Sequence, residues 1–345
     1  MAKKTSLADI AKSLGVSKTL VSLVLNNKAD AYGINRETQE RVRAKIKEMN
    51  YQPDLLARVF RTGKTQTIGL IVSDISNAFY AAMARHIEDL AWKEGYALVI
   101  CSTDENAAKE DRQIQLLMER KTDGLIISSS REDPAAFHAL VADGYPHVLV
   151  DRVFPGLKSP FVSADNFWGA SMVATHLLEQ GIREIGLISA TPSHISTIRD
   201  RTQGFTSTLL EAGVEIPDRW TVNVPFGSDP RFLEDVLGKL SRAGNLPRAF
   251  FTLNNRLTSN CLFALKALSL RVPADMALVG FDDMPWFTHA NPAITAVSQP
   301  VQAMGEQAFQ LLLRQLRAKE DQASLTPVHL PVELHIRESS LINTT

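Results

Sequence analysis

Seven times between Ile68 and Phe281 the chain repeats one pattern, a short unbroken apolar run followed by an amphipathic stretch. The runs are Ile68–Val72, Ala97–Cys101, Gly124–Ile127, His147–Val150, Ile185–Ser189, Ala249–Leu253 and Ala277–Phe281. Four or five apolar residues without alternation suit a strand buried on both faces, which needs helices above and below it. Met83, Ile87, Leu90 and Ala91 recur at helical spacing after the first run, and Glu110, Ile114, Leu117 and Met118 after the second. The alternation predicts parallel, doubly wound α/β sheets. Seven such strands exceed one comfortable sheet. The stretch Phe154–Asp165, rich in Pro, Gly and Ser, reads as the crossing between two similar lobes. Pro-bounded strand-like segments near Thr295–Gln299 and Val328–Arg337 read as further crossings, and an interlobe cleft follows.

The N-terminal residues are different in kind. Ser6 and Asp9 make a helix-start signature, Gly15 supplies a tight turn, and Ser17 is a natural N-cap for a second helix. On that helix Val21 and Val24 can face Ile10 and Leu14, which puts Lys18, Ser22 and Asn26 on the opposite face. A third helix is expected to start after Asn35 and to run to about Asn50. This is an all-α helix-turn-helix, whose small polar face with a basic lead residue suits a DNA major groove. An ordinary helical hairpin is the alternative, and charge segregation weighs against it. Residues 1–64 hold 13 Lys/Arg against 6 Asp/Glu, a net of +7; the remainder holds 24 against 32, a net of −8. A basic head on an acidic body fits a polyanion-binding module joined to a globular domain.

Between them lies Asp54–Lys64, helix-capable but too short to be stable alone. It is either a plain linker or a hinge that orders on docking. Leu55, Leu56, Val59 and Phe60 are too apolar for a solvated linker, and Arg58, Arg61 and Lys64 offer phosphate partners. The composition favours a segment that pairs with its copy and wedges a base step from the minor groove.

Other classes are disfavoured. The basic start is not followed by an apolar run, so a secretory signal is not expected, and no stretch is apolar enough to span a bilayer. A cytoplasmic location is expected. Cys101 and Cys261 read as core thiols, and the eight histidines lack ligand spacing, so no metal site is expected. No dinucleotide fingerprint, phosphate loop or nucleophile elbow is found, which argues against an enzyme and against a cofactor.

Taken together, these residues resemble the LacI/GalR (lactose/galactose repressor) family of bacterial transcriptional regulators over essentially the whole chain. The resemblance rests on Leu7-Ala-Asp-Ile-Ala11 with Val16-Ser17, Val21-Ser22 and Val24-Leu-Asn26, then Asn50-Tyr51 and Pro53. It continues through Gly69-Leu-Ile-Val72 with Asp74, Asn77 and Phe79, Asp123-Gly-Leu-Ile126, Val150-Asp-Arg152, and Leu270-Arg-Val-Pro273 with Asp275 and Gly280-Phe-Asp-Asp283. It implies a periplasmic-binding-protein-like effector domain and a homodimer on a palindromic double-stranded operator, with a tetramer left open and no membrane partner. The expected division is a head at 1–50, a hinge at 51–64 and an effector-binding and dimerisation domain at 65–345. Lobe 1 is placed at about 65–162 and 294–326, and lobe 2 at about 163–293 and 327–345.

Residue by residue, the resemblance implies base contacts from Lys18, Thr19 and Ser22, and phosphate contacts from Ser6, Ser17, Asn26, Thr38 and Tyr51. Leu23 stands where the family most often has Arg, and Phe60, near Ala57 in the hinge, where it usually has Leu; both point to a divergent operator. In the cleft it implies effector contacts from Phe79, Asp151, Thr197, Arg201, Phe226, Asn254 and Asp282, with Arg152 and Trp286 as further candidates. Carboxylates, an amide, a guanidinium and an aromatic face suit a sugar, and Arg199 beside Arg201 leaves room for a sugar acid or sugar phosphate. The expected function is a sequence-specific DNA-binding regulator, a repressor, controlled by such an effector. Its rivals are a sugar-binding protein and a doubly wound enzyme, neither with specific DNA binding.

Overall fold

The computed structural model describes residues 5–51, 63–318 and 326–342. The chain divides into two compact units, Met1–Thr65 and Gln66–Thr345. Most of the expected hinge, including Ala57 and Phe60, lies outside the described residues.

Among its described residues the first unit holds three α-helices, α1 (Leu7–Leu14), α2 (Lys18–Leu25) and α3 (Arg36–Glu48). Ser6 and Asp9 close a reciprocal capping box at the start of α1. Gly15 takes φ +65°, where its N–H reaches back to the carbonyls of Ala11 and Lys12 and turns the chain. Ser17 Oγ accepts from Leu20 N at 3.1 Å to start α2, and Asn35 Oδ1 accepts from Thr38 N at 2.8 Å to start α3. The three meet on Ile10, Ala11, Val21, Val24 and Val42, with Leu14 at the edge. Between α2 and α3 a short 3-10 turn, Asp30–Tyr32, is pinned by buried Gln39, whose Nε2 donates to Asp30 Oδ1 and to the Ile34 carbonyl.

The second unit contains two six-stranded sheets. Its elements are β1 (Thr67–Val72), α4 (Ala78–Lys93), β2 (Ala97–Ser102), α5 (Ala107–Glu119), β3 (Gly124–Ile127), α6 (Ala135–Ala142), β4 (His147–Val150) and β5 (Phe161–Ala164). Then follow α7 (Asn166–Glu179), β6 (Ile185–Thr191), α8 (Ser196–Glu211), β7 (Thr221–Pro225), α9 (Arg231–Arg242), β8 (Ala249–Thr252), α10 (Asn255–Ala267), β9 (Ala277–Phe281) and β10 (Thr295–Ser298). The chain ends with α11 (Val301–Ala318), β11 (Val328–Leu330) and β12 (Glu333–His335). The sheet orders are β11-β5-β4-β3-β1-β2 and β12-β10-β9-β8-β6-β7. Leaving out the outermost β11 and β12, the two orders correspond strand for strand. This doubly wound order places its binding crevice at the carboxyl ends of the strands.

Three details differ from expectation. Thr295–Ser298, assigned to lobe 1 from the sequence, pairs in parallel with β9 in lobe 2 (Thr295↔Val279), and Val328–Leu330, assigned to lobe 2, pairs with β5 in lobe 1 (Val328↔Val162). Apolar runs identify strands but not their neighbours; register does that. Secondly, the lobe 2 sheet is mixed, because β12 runs antiparallel to β10. Thirdly, Cys101 is only half-buried, since β2 is an edge strand, whereas Cys261 is buried.

Candidate functional site

In the first unit, Lys18 and Thr19 are exposed on the first turn of α2. Ser22 and Leu23 are half-buried one turn on. Asn26 Nδ2 donates to Ser22 O at 2.6 Å and to Ser22 Oγ at 3.3 Å, so these two side chains hold each other in place. Ser6 and Ser17 both act as caps, and Thr38 offers its backbone N–H to Asn35. Tyr51 packs half-buried against the head core.

In the second unit all seven predicted effector residues line one cleft of about 660 Å³, a volume that includes its open mouth. The carboxyl ends of the strands deliver them. Asp151 follows β4, Phe226 follows β7, Asn254 follows β8 and Asp282 follows β9, while Thr197 and Arg201 come from the first turns of α8. Asp151 and Asp282 occupy corresponding strand ends in the two lobes, and both hold φ +68°. Left-handed backbone at a non-glycine residue is uncommon and strained, although Asp tolerates it better than most. Each therefore turns a buried carboxyl into the crevice.

Each charge in the cleft has structured surroundings. Arg201 Nε donates to Asn166 Oδ1 at 2.7 Å and Nη1 to the Leu253 carbonyl at 2.6 Å; Nη2 lies 3.7 Å from Asp282 Oδ1. Its guanidinium stacks 3.7 Å above the Phe281 ring. Asp282 also accepts from Gln299 Nε2 at 2.5 Å. Asp151 accepts from Tyr80 OH at 2.8 Å, and burial pushes its carboxyl above the usual range. Burial likewise raises the Tyr80 phenol. Arg152 forks onto Glu105 at 2.7 and 2.5 Å. Burial alone would raise the Glu105 carboxyl, but this guanidinium holds it below its ordinary value. Beneath the crevice Glu110 is fully buried, accepting from Ser129 Oγ at 2.7 Å and Ser130 N at 2.6 Å; burial raises its carboxyl.

Phe79 is buried edge-on to Tyr80, and Phe226 is 39% exposed at the mouth. Asn254 Oδ1 caps α10 by accepting from Leu257 N at 2.9 Å. Trp286 stands outside the cleft, half-exposed against Phe287. Arg199 is also outside and pairs with its neighbour Asp200, so it does not supply a cleft charge. Tyr80, Glu105, Arg256 and Gln299 line the cleft but were not anticipated. Glu105 and Gln299 were findable, since each closely follows a strand on the crevice side; nothing in the sequence marked Arg256. The lobes also touch at the rim. Asn255 Nδ2 donates to Asn77 Oδ1 at 2.9 Å, Arg256 pairs with Asp74 at 3.1 Å, and on the other side Val153 N donates to Ser196 Oγ at 3.0 Å. Among the described residues, no cluster of three His, Cys, Asp or Glu could hold a metal ion, and no helix is long and apolar enough to cross a membrane.

A helix-turn-helix carried on a chain with a two-lobed α/β binding domain defines the class of ligand-responsive DNA-binding regulators. Comparison with known proteins gives the family. Residues 6–54 match the bacterial regulatory proteins of the lacI family, and residues 174–340 match a periplasmic binding protein-like domain. The HTH-type transcriptional regulator DegA of Bacillus subtilis is 32% identical over 99% of this chain and 100% of its own length. The ribose operon repressor of Halalkalibacterium halodurans is 32% identical over 97% of both chains. Among solved structures, a LacI family transcriptional regulator from Enterococcus faecium with bound ribose is 26% identical and superimposes with a TM-score of 0.69, over 79% of this chain and 98% of that one. The chain belongs to the lacI family and is a DNA-binding transcriptional regulator.

Proposed function

We propose that the protein represses transcription as a cytoplasmic homodimer on a palindromic operator, and that a sugar, sugar acid or sugar phosphate in the interlobe cleft resets its operator affinity. The observation that carries this is the convergence of Phe79, Asp151, Thr197, Arg201, Phe226, Asn254 and Asp282 on one crevice at the strand ends. Vicinal hydroxyls both donate and accept, so a ring lined by carboxyl, amide and guanidinium groups can pair with each of them, and Phe79 and Phe226 cover the C–H faces. Lys18, Thr19, Ser22 and Leu23 are assigned to base edges, and Ser6, Ser17, Asn26, Thr38 and Tyr51 to phosphates. Ala57 and Phe60 are assigned to the minor groove. Binding without turnover is the reading of the cleft. That relatives include a ribose operon repressor and a ribose-bound regulator supports the sugar class.

Effector control requires that the ligand favour one lobe arrangement over another. The test is a melting-temperature screen of sugars, sugar acids and sugar phosphates, followed by titration of a selected operator with each hit. A hit that stabilises the protein and shifts operator affinity is expected. Hits that stabilise the protein but leave operator affinity unchanged would make it a sugar binder without this control.

A further inference from the structure

The connection from α2 to α3 is more elaborate than a linker needs to be. Asn27 takes φ +55°, and the chain then closes on itself, with Ile34 N donating to the Ala29 carbonyl at 3.0 Å and Tyr32 N to the same carbonyl at 3.2 Å. Ala29 is buried in the head core. Gln39, itself buried, reaches from α3 to hold both Asp30 and the Ile34 carbonyl. Gly33, at φ +67°, completes the turn. Residues 29–34 are thus a knuckle braced from inside.

The fold does not account for what this knuckle presents outward. Tyr32 is 67% exposed, and among the described residues its ring and hydroxyl have no partner. Lys28 and Arg36 stand four residues before and after it. Both are exposed and, among the described residues, without an ion pair. The one acid between residues 28 and 36 is Asp30, which Gln39 draws toward α3. A single exposed aromatic side chain is ordinary on a protein surface. A tyrosine held on a braced turn between two unpaired cations, in a head of net charge +7, offers the hydrogen-bond donors that a nucleic-acid backbone takes.

Asn26 caps the end of α2 and Thr38 lies in the first turn of α3. Both are already assigned to operator phosphates, and the knuckle is the stretch of chain that joins them. Resting on that assignment, we propose that the knuckle is a further contact to the DNA backbone. The Tyr32 hydroxyl donates to a phosphate oxygen near those held by Asn26 and Thr38, its ring covers the adjoining deoxyribose, and Lys28 neutralises a neighbouring phosphate. Contacts of this kind carry no base information; they lengthen the footprint of each head and fix its register.

The full-length protein first selects its operator from a random duplex pool, and binding of that duplex is followed by fluorescence anisotropy over a salt series. Tyr32→Ala weakens binding about tenfold, equally for the operator and for its single-base variants. Its salt slope stays that of the parent, because tyrosine carries no charge, whereas Lys28→Ala lowers the log–log slope by about one per head. In hydroxyl-radical footprints Tyr32→Ala loses protection at one backbone position in each half-site and keeps the rest. Should Tyr32→Ala fail to melt cooperatively, Tyr32→Phe, which removes only the hydroxyl, makes the same comparison. Parental affinity and footprint in a folded Tyr32 variant overturn the contact and leave the knuckle a surface turn. A general loss of protection, as a loosened head would give, overturns it as well. Relaxed discrimination at a single base pair, in place of uniform weakening, overturns the assignment to phosphate, and an unchanged slope in Lys28→Ala overturns the role of Lys28. Failure of the parent protein to enrich any sequence overturns the operator reading itself, and the contact with it.

Discussion

Arg201 shows how much one side chain can organise. Its guanidinium joins α8, α7, the end of β8 and Asp282, all in a buried setting. Removing Asp282 leaves that cation without a counter-charge, a loss on the order of 3 kcal/mol for a buried pair. Asp282→Ala is therefore expected to lower the urea midpoint and to abolish the sugar-induced rise in melting temperature; a variant that keeps both would remove Asp282 from the site. On the head, Lys18 is exposed at the start of α2, with no side-chain cap of its own to maintain. Lys18→Ala should weaken operator binding while leaving the head folded, judged by affinity across a salt series. If Lys18 contacts a phosphate, the log–log slope falls by about one and weakening is uniform across sequences; if it contacts a base, discrimination at one position relaxes. Asp151, Arg201 and Asp282 were legible as cleft residues because a strand end or a following helix carries each one. Glu105 and Gln299 follow strands on the same side and were findable in the same way, whereas Arg256 was not, because it lies on a helix and pairs with Asp74 across the lobes.

Close backbone packing joins α7 and α8 in the second lobe. At Gly204 in α8, an added Cβ would come 2.1 Å from the Phe167 carbonyl oxygen of α7, and Ser171 Oγ already donates to the Gly204 carbonyl at 3.2 Å. Backbone cannot move aside as a flexible side chain can, so Gly204→Ala is expected to cost on the order of 3 kcal/mol. Equilibrium denaturation of the effector domain measures it, and a neutral result would mean that α7 and α8 can separate freely. Six of the seven apolar runs were legible because buried parallel strands leave no room for polar alternation; the other, Ala97–Cys101, forms the edge strand β2 and is largely exposed, so its apolarity did not report burial. Thr221–Pro225 was not, because its buried and exposed residues alternate, as befits an edge strand beside β6. Phe161–Ala164 read as part of a crossing because Ser163 and the Pro-rich approach hide so short a strand.

Taken whole, the chain is two compact units, Met1–Thr65 and Gln66–Thr345, with separate cores. Deleting residues 1–64 should abolish operator binding and leave sugar-induced melting shifts intact; loss of both would show that the units do not act separately. Global stability should also depend on pH through His147. This residue is buried, its Nδ1–H donates to the Tyr145 carbonyl at 2.8 Å, and its Nε2 accepts from Ser159 Oγ at 2.8 Å. Burial pushes the imidazole below its ordinary 6.5. A group whose folded value is depressed contributes stability that is present above its unfolded value and lost as pH falls through the folded one. Between neutral pH and about pH 5 the His147→Gln variant should therefore lose less stability than the parent protein in parallel urea titrations. Equal losses would place the acid sensitivity elsewhere. Local chemistry alone determined the helix-turn-helix, the basic head, the doubly wound class and most of the cleft residues, because caps, periodicity and strand ends are short-range properties. Only tertiary structure decided that Thr295–Ser298 belongs with β9 and Val328–Leu330 with β5, and that each cleft arginine already faces an acid. Pairing across a sheet or a cleft depends on residues distant along the chain, and no window of sequence contains both partners.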